Sequence, residues 1–273
     1  MKQTPEWNRA ALLQSPLFAP LHPILADLEA GGFPTLQDCN ALLTSRPLLI
    51  TVQSGSPLRF VAQECGKLPF EAQYEPRCYL KGEVQMRAHN WHDVLNALVW
   101  LTFPKTKSIL NARHYDALIE ERASAIPRRG AVRDVNTLLD ESGVIVVYAD
   151  ADLAELLRNF KWKELFWQRR EQVRAGMGFY LFGHGLYEKA LQPYVGMTGQ
   201  GLLLAVEPAF FSWPLAQQLA YLDSLLADYL AEHCRNTRDL SPVPLLGVPG
   251  WAADNNCAAY YDNTAYFRPG RRG

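Results

Sequence analysis

The 273-residue chain has no excess of charge of either sign. Its 27 Lys and Arg face 28 Asp and Glu, for a net charge of −1. That balance argues against a dedicated nucleic-acid-binding domain, which needs clustered Lys and Arg to meet phosphates. Long hydrophobic runs are also missing. The longest, residues 94–103, is interrupted by Asn96 and Thr102 and falls far short of the roughly 20 residues a membrane-spanning helix needs. The first residues carry neither the apolar core nor the small-residue cleavage site of a secretion signal, so a cytoplasmic location and no membrane partner are expected. Cysteines are few and scattered: Cys39, Cys65, Cys78, Cys234 and Cys257 include no Cys-x-x-Cys. This excludes a zinc knuckle or a thioredoxin-like pair and leaves free thiols as the expectation. Internal repeats and low-complexity linkers are absent too. A single domain over 1–273 is therefore expected, with a helical lead-in over 1–46 and an ordered extended tail over 241–273. A disordered tail would not carry Trp251, Tyr260, Tyr261, Tyr266 and Phe267.

What is present reads as an α+β protein, predominantly helical with a small, mostly central β-sheet. Residues 144–148, Val-Ile-Val-Val-Tyr, follow Gly143 and form the clearest strand, apolar enough to be buried on both faces. Further strands are expected at 48–53, 58–63 and 201–206, with a hairpin over 78–86 turning at Lys81-Gly82; 177–182 fits either a strand or a helix. Helices are expected over 24–30, after Pro34, over 90–125 as a pair divided near Pro104, and over 133–141, 151–160, 162–175, 184–191 and 214–233.

The helix beginning near Trp91 carries Val94, Leu95, Ala97, Leu98, Val99, Trp100 and Leu101 around most of its circumference, so it belongs in the core. Yet His89, His92, Asp93 and Asn96 recur three or four residues apart and share a face. Burying such groups without partners costs about 1–3 kcal/mol each, so this stripe must meet other polar groups, water, a ligand or a metal. Lys107, Asn111 and His114 form a second stripe on the following helix, positioned to border the same cavity. His184 and Glu188 form an i, i+4 pair on a third element.

Long motifs here resemble a bacterial family, domain of unknown function 3025. They are His89-Asn90-Trp91-His92-Asp93 through Trp100, Phe103-Pro104-Lys105-Thr106-Lys107 and Leu110-Asn111-Ala112-Arg113-His114. Tyr74-Glu75-Pro76-Arg77, Asp140-Glu141-Ser142-Gly143, Phe182-Gly183-His184 with Glu188-Lys189, and Phe267-Arg268-Pro269 extend the likeness from about Pro69 onward. The resemblance implies no known catalytic residues. It implies that the tail belongs to the domain, which makes Arg268 a candidate anion contact. Gly185 stands where the family pattern leads one to expect alanine, and glycine loosens a helix there.

Together these features lead to the expectation of a hydrolase or transferase acting on a small polar, or anionic, substrate. His92 would be its acid–base group, Asp93 or Glu188 the orienting carboxylate, and His184 a further catalytic group. His89, Asn96, Lys107, Asn111, His114 and Arg268 would contact substrate. A divalent metal such as zinc is another reading of the same histidines with Asp and Glu, although they lack His-Glu-x-x-His spacing. The alternative is a non-catalytic binding or interaction protein in which these residues form a structural hydrogen-bond network. A solvent-reachable cavity would favour the enzyme; a dry, fully paired network would favour the alternative.

Overall fold

A computed structural model of the chain describes residues 5–28, 31–124 and 130–270. The elements run α1 (Arg9–Gln14), α2 (His22–Asp27), α3 (Leu36–Thr44), β1 (Arg59–Ala62), α4 (Tyr74–Lys81), β2 (Glu83–Met86), α5 (Trp91–Thr102), α6 (Pro104–Ala123) and α7 (Ala131–Ser142). They continue with β3 (Gly143–Tyr148), α8 (Ala151–Arg158), α9 (Arg170–Gly176), β4 (Met177–Leu181), α10 (His184–Ala190), β5 (Thr198–Ala205), α11 (Leu215–Glu232) and β6 (Ser241–Pro244). The fold is α+β with helix dominant, as expected. No helix among the described residues is long and apolar enough to cross a membrane.

Two sheets form: a four-stranded one in the order β4-β3-β5-β6, and a two-stranded one of β1 and β2. Strand β3 is interior, antiparallel to β4 and parallel to β5. Its Val144, Ile145, Val146 and Val147 are wholly buried, which is why its sequence is continuously apolar rather than alternating. Pairing with β3 settles the ambiguous segment as strand β4. The tail supplies the edge strand β6, where Pro242 and Pro244 are tolerated because one side needs no ladder donors; short 3-10 turns follow it. One buried hydrophobic cluster contains residues from Leu12 near the start to Phe267 in the tail.

Four local expectations are corrected. Residues 48–53 are not a strand. Only Thr51 makes a bridge, to Pro57, and Leu48 and Leu49 are 79% and 75% exposed, with no neighbouring strand to pair them. The expected hairpin over 78–86 is instead helix α4 followed by β2, which runs parallel to β1. Both periods fit so short a segment; the helical backbone over Tyr74–Lys81 is the one that forms. Gly82 then ends it at φ 68°, its N–H bonded to the Cys78 carbonyl, where any Cβ would strike the Pro57 carbonyl. The helix expected over 162–175 is broken, with a π-helical turn at Glu164–Gln168 before α9. The helix expected over 24–30 ends at Asp27, and residues 29 and 30 lie outside the described residues.

Helices α5, α7 and α10 position the polar residues. The α5 N-terminus is capped by the Asn90 side chain, which accepts the Asp93 N–H at 3.0 Å. Helix α6 is capped from α11, where the buried Asp223 carboxylate accepts the Lys105 and Thr106 N–H groups at 3.0 and 2.8 Å. Helix α7 passes into β3 without a loop. The Gly143 carbonyl accepts N–H groups from both Phe182 and Gly183, at 3.0 and 2.9 Å, which pins the start of α10 against the end of α7.

Candidate metal centre

That junction brings His184 beside Asp140 and Glu141. It depends on Gly183, where a Cβ would lie 2.5 Å from the backbone nitrogens of Ser142 and Gly143. Gly183→Ala is therefore expected to cost about 3 kcal/mol of folding free energy by urea denaturation, through backbone overpacking. A neutral effect would mean that the junction yields readily and does not set the site. Gly185 also touches Glu141, whose carboxylate occupies the space an alanine Cβ would need. Helix α10 forms from His184 despite this glycine.

His92, on the first turn of α5, faces α10. Its Nδ1 lies 3.0 Å from Glu188 Oε2, and its Nε2 lies 2.9 Å from His184 Nε2. Glu141 Oε1 stands 3.7 Å from His92 Nε2 and 3.5 Å from His184 Nε2. Three donor atoms thus form a triangle with edges of 2.9–3.7 Å. Ligands held about 2.0–2.2 Å from a tetrahedral zinc ion have separations of this size. Behind the triangle, Glu188 holds the far nitrogen of His92, and Asp140 Oδ2 lies 3.7 Å from the far nitrogen of His184. Carboxylates in that position fix the tautomer and orientation of metal-binding imidazoles.

Burial lowers the His184 pKa to about 3, so the imidazole is neutral and its Nε2 is available as a lone-pair donor. Its Nδ1 is buried and makes no hydrogen bond among the described residues. Burial raises the Glu141 carboxyl, with Asp140 and Glu188 adding to the effect against His92 and Lys107. Burial alone would raise Asp140 as well. The Lys107 ammonium and His184 outweigh it and hold Asp140 at about 2.

The triangle opens onto a cavity of about 310 Å³ whose wall also includes Gln63, Tyr74, Gln85, Arg87 and Asn96. The side chains of His92 and Glu141, which line it, are partly exposed, as is that of Glu188 behind His92. Asn96 donates to the Tyr74 hydroxyl at 2.6 Å.

The sequence pattern of a family described as protein of unknown function, DUF3025, matches residues 58–271. The chain belongs to the DUF3025 family. The match spans every element that builds the cavity, from β1 to the tail. No curated protein and no solved structure matches this DUF3025 chain.

The structure brings together only part of the expected site. His92, His184 and Glu188 meet directly, and Asn96 shares their cavity. Asp93 lines the cavity but is turned towards Arg87, accepting its backbone N–H at 2.7 Å and its guanidinium at 2.8 Å through both oxygens. Burial alone would raise the Asp93 pKa; these contacts more than offset it and lower it. His89 does not join the stripe. The helix starts at Trp91, and His89 precedes it in a left-handed conformation (φ 53°), exposed and against Phe33.

Lys107, Asn111 and His114 border a different, tight space of about 10 Å³. There Lys107 pairs with Asp140 and Asn111 donates to the Glu75 carboxylate at 2.6 Å. Such a paired arrangement is what a structural network requires. Arg268 lines a third cavity, beside Trp162 and Tyr266. Sequence reasoning passed over Tyr74, Glu75, Arg87, Asp140 and Glu141 as site residues. All except Arg87 stand in motifs that carry the family resemblance, and that was the available signal.

Proposed function

We propose that this DUF3025 protein is a metal-dependent hydrolase of small polar molecules. Its divalent ion, zinc by the match of two imidazoles and one carboxylate to an open tetrahedral site, is held by His92 Nε2, His184 Nε2 and Glu141 Oε1. The observation that carries the reading is the approach of two imidazole Nε2 atoms to 2.9 Å with a carboxylate oxygen within 3.7 Å of both. A local excess of carboxylates around them favours a dication. Two histidines and one carboxylate leave further positions for water and substrate, and bound water on zinc reaches a pKa near 7, which makes hydroxide available for attack on a carbonyl or phosphoryl centre.

In this reading His92 is a ligand rather than a free acid–base group, and Glu188 orients it. With an ion at Nε2, His184 carries its proton on Nδ1, facing Asp140. That gives a role to a nitrogen otherwise buried without a hydrogen bond. Lys107 acts at one remove by holding Asp140, and Asp93 by holding Arg87.

The test is metal content and affinity. Protein stripped with a chelator and reloaded should bind one zinc ion per chain by elemental analysis and calorimetry. His92→Ala, His184→Ala and Glu141→Ala should each lose that ion while remaining folded by circular dichroism. Zinc bound equally well by folded His184→Ala would sink the assignment.

A further inference from the structure

The cavity beside the candidate ion carries information about what enters it. Four carboxylates border it, from Glu75, Asp93, Asp140 and Glu141. Arg87 is the one lining residue of fixed positive charge, and Asp93 already engages its guanidinium through both oxygens. Lys107 is committed to Asp140. No free cation among the cavity-lining residues remains to meet an anionic substrate.

Asn96 and Tyr74, both on the wall, have unused hydrogen-bonding capacity. Asn96 is 6% exposed, and its Nδ2 is spent on the Tyr74 hydroxyl at 2.6 Å. Its Oδ1 is buried and has no partner among the described residues. Leaving such an acceptor unpaired costs free energy, so a ligand that supplies an N–H recovers it. The Tyr74 hydroxyl accepts from Asn96 and keeps its own proton to give, since burial raises its pKa well above 10. Tyr74 and Asn96 both line the cavity and are bonded to each other, so together they hold one spare donor and one spare acceptor.

That arrangement complements a group with a carbonyl and an N–H on the same side. Primary amides and ring amides have both; trans secondary amides point them in opposite directions. We infer that the substrate is a small neutral primary or cyclic amide, its carbonyl received by the Tyr74 hydroxyl and its N–H by Asn96 Oδ1. The inference rests on the metal-dependent hydrolase reading and deepens it. Hydroxide from ion-bound water forms the new C–O bond at the carbonyl carbon, and the C–N bond breaks. The leaving nitrogen takes up a proton derived from that water. One water is consumed, a carboxylate and an amine result, and no redox partner is needed.

The test compares 2-piperidone with N-methyl-2-piperidone, which differ in the single N–H, on the zinc-loaded full chain by NMR titration. The expected result is binding of 2-piperidone about 10-fold tighter, the worth of one hydrogen bond to an otherwise unpaired acceptor. Asn96→Ala and Tyr74→Phe should both retain zinc; Asn96→Ala should abolish the preference and Tyr74→Phe should weaken both ligands. Equal binding of the two lactams by zinc-loaded wild-type protein overturns the amide inference and leaves the metal site standing. Failure to bind zinc at all overturns the underlying reading instead. The wild-type comparison decides the matter even where Asn96→Ala does not fold.

Discussion

Asp140→Ala is expected to cost about 3–5 kcal/mol of folding stability, the usual range when one member of a buried ion pair is removed. Lys107 is 3% exposed, its ammonium contacts Asp140, and it lies 5.5 Å from the centre of the Trp100 ring. Without the carboxylate, a positive charge stays buried against an indole and a neutral imidazole. Urea denaturation of the metal-free protein measures the loss. The double variant Lys107→Met, Asp140→Leu should regain most of it, because no isolated charge then remains. A double variant as unstable as Asp140→Ala would show that shape rather than charge holds α6 to α7.

Acid titration gives an independent reading of the same pair. Folded Asp140 has its pKa lowered from 3.8 to about 2, so the folded state binds its proton less readily than the unfolded state. The stabilisation is fully present above pH 3.8 and is lost as the pH falls through about 2. Asp140→Ala should lack that component of the acid-induced loss of stability.

Glu188→Gln is expected to weaken zinc binding by about 10- to 100-fold, the typical cost of removing a carboxylate that orients a metal-bound histidine. Glutamine keeps the size and a hydrogen-bond acceptor but removes the charge that favours a proton on His92 Nδ1 and a lone pair on Nε2. The Glu188 side chain is half-exposed, so the melting temperature of metal-free protein should not change. A competition titration against a chromogenic chelator gives the affinity. Wild-type zinc affinity in Glu188→Gln would remove Glu188 from the site, and a large drop in apo stability would assign it a structural role.

The site residues fall into two kinds. Those on α5 were legible because a helix repeats every 3.6 residues: a polar side chain among Val94, Leu95, Leu98 and Val99 marks itself by contrast. His184 and Glu188 were legible for the same reason. The choice between the two carboxylates expected to orient His92, Asp93 and Glu188, was not. Asp93 is the neighbour of His92 in sequence, but successive helix positions point about 100° apart, and Asp93 turns back to Arg87 while His92 turns to α10. Lys107, Asn111 and His114 do share a face, as expected. That face meets α4 and α7 at the tight 10 Å³ space, not the open cavity.

The sequence by itself determined the local elements with strong periodicity: the buried helix α5, the doubly covered strand β3, the helix that brackets α11 and the family to which the chain belongs. These follow from hydrophobic pattern, caps and motif identity, which are properties of neighbouring residues. Tertiary structure alone decided that His92, Glu141 and His184 converge. Glu141 lies some fifty residues from one histidine and some forty from the other, and no local period spans such gaps. Their meeting depends on the α7–β3 junction, on the absence of a Cβ at Gly183 and on the packing of α10 against α5. The four polar residues that first marked α5 thus became two at the centre, His92 and Asn96, with Asp93 turned aside to Arg87 and His89 outside the helix.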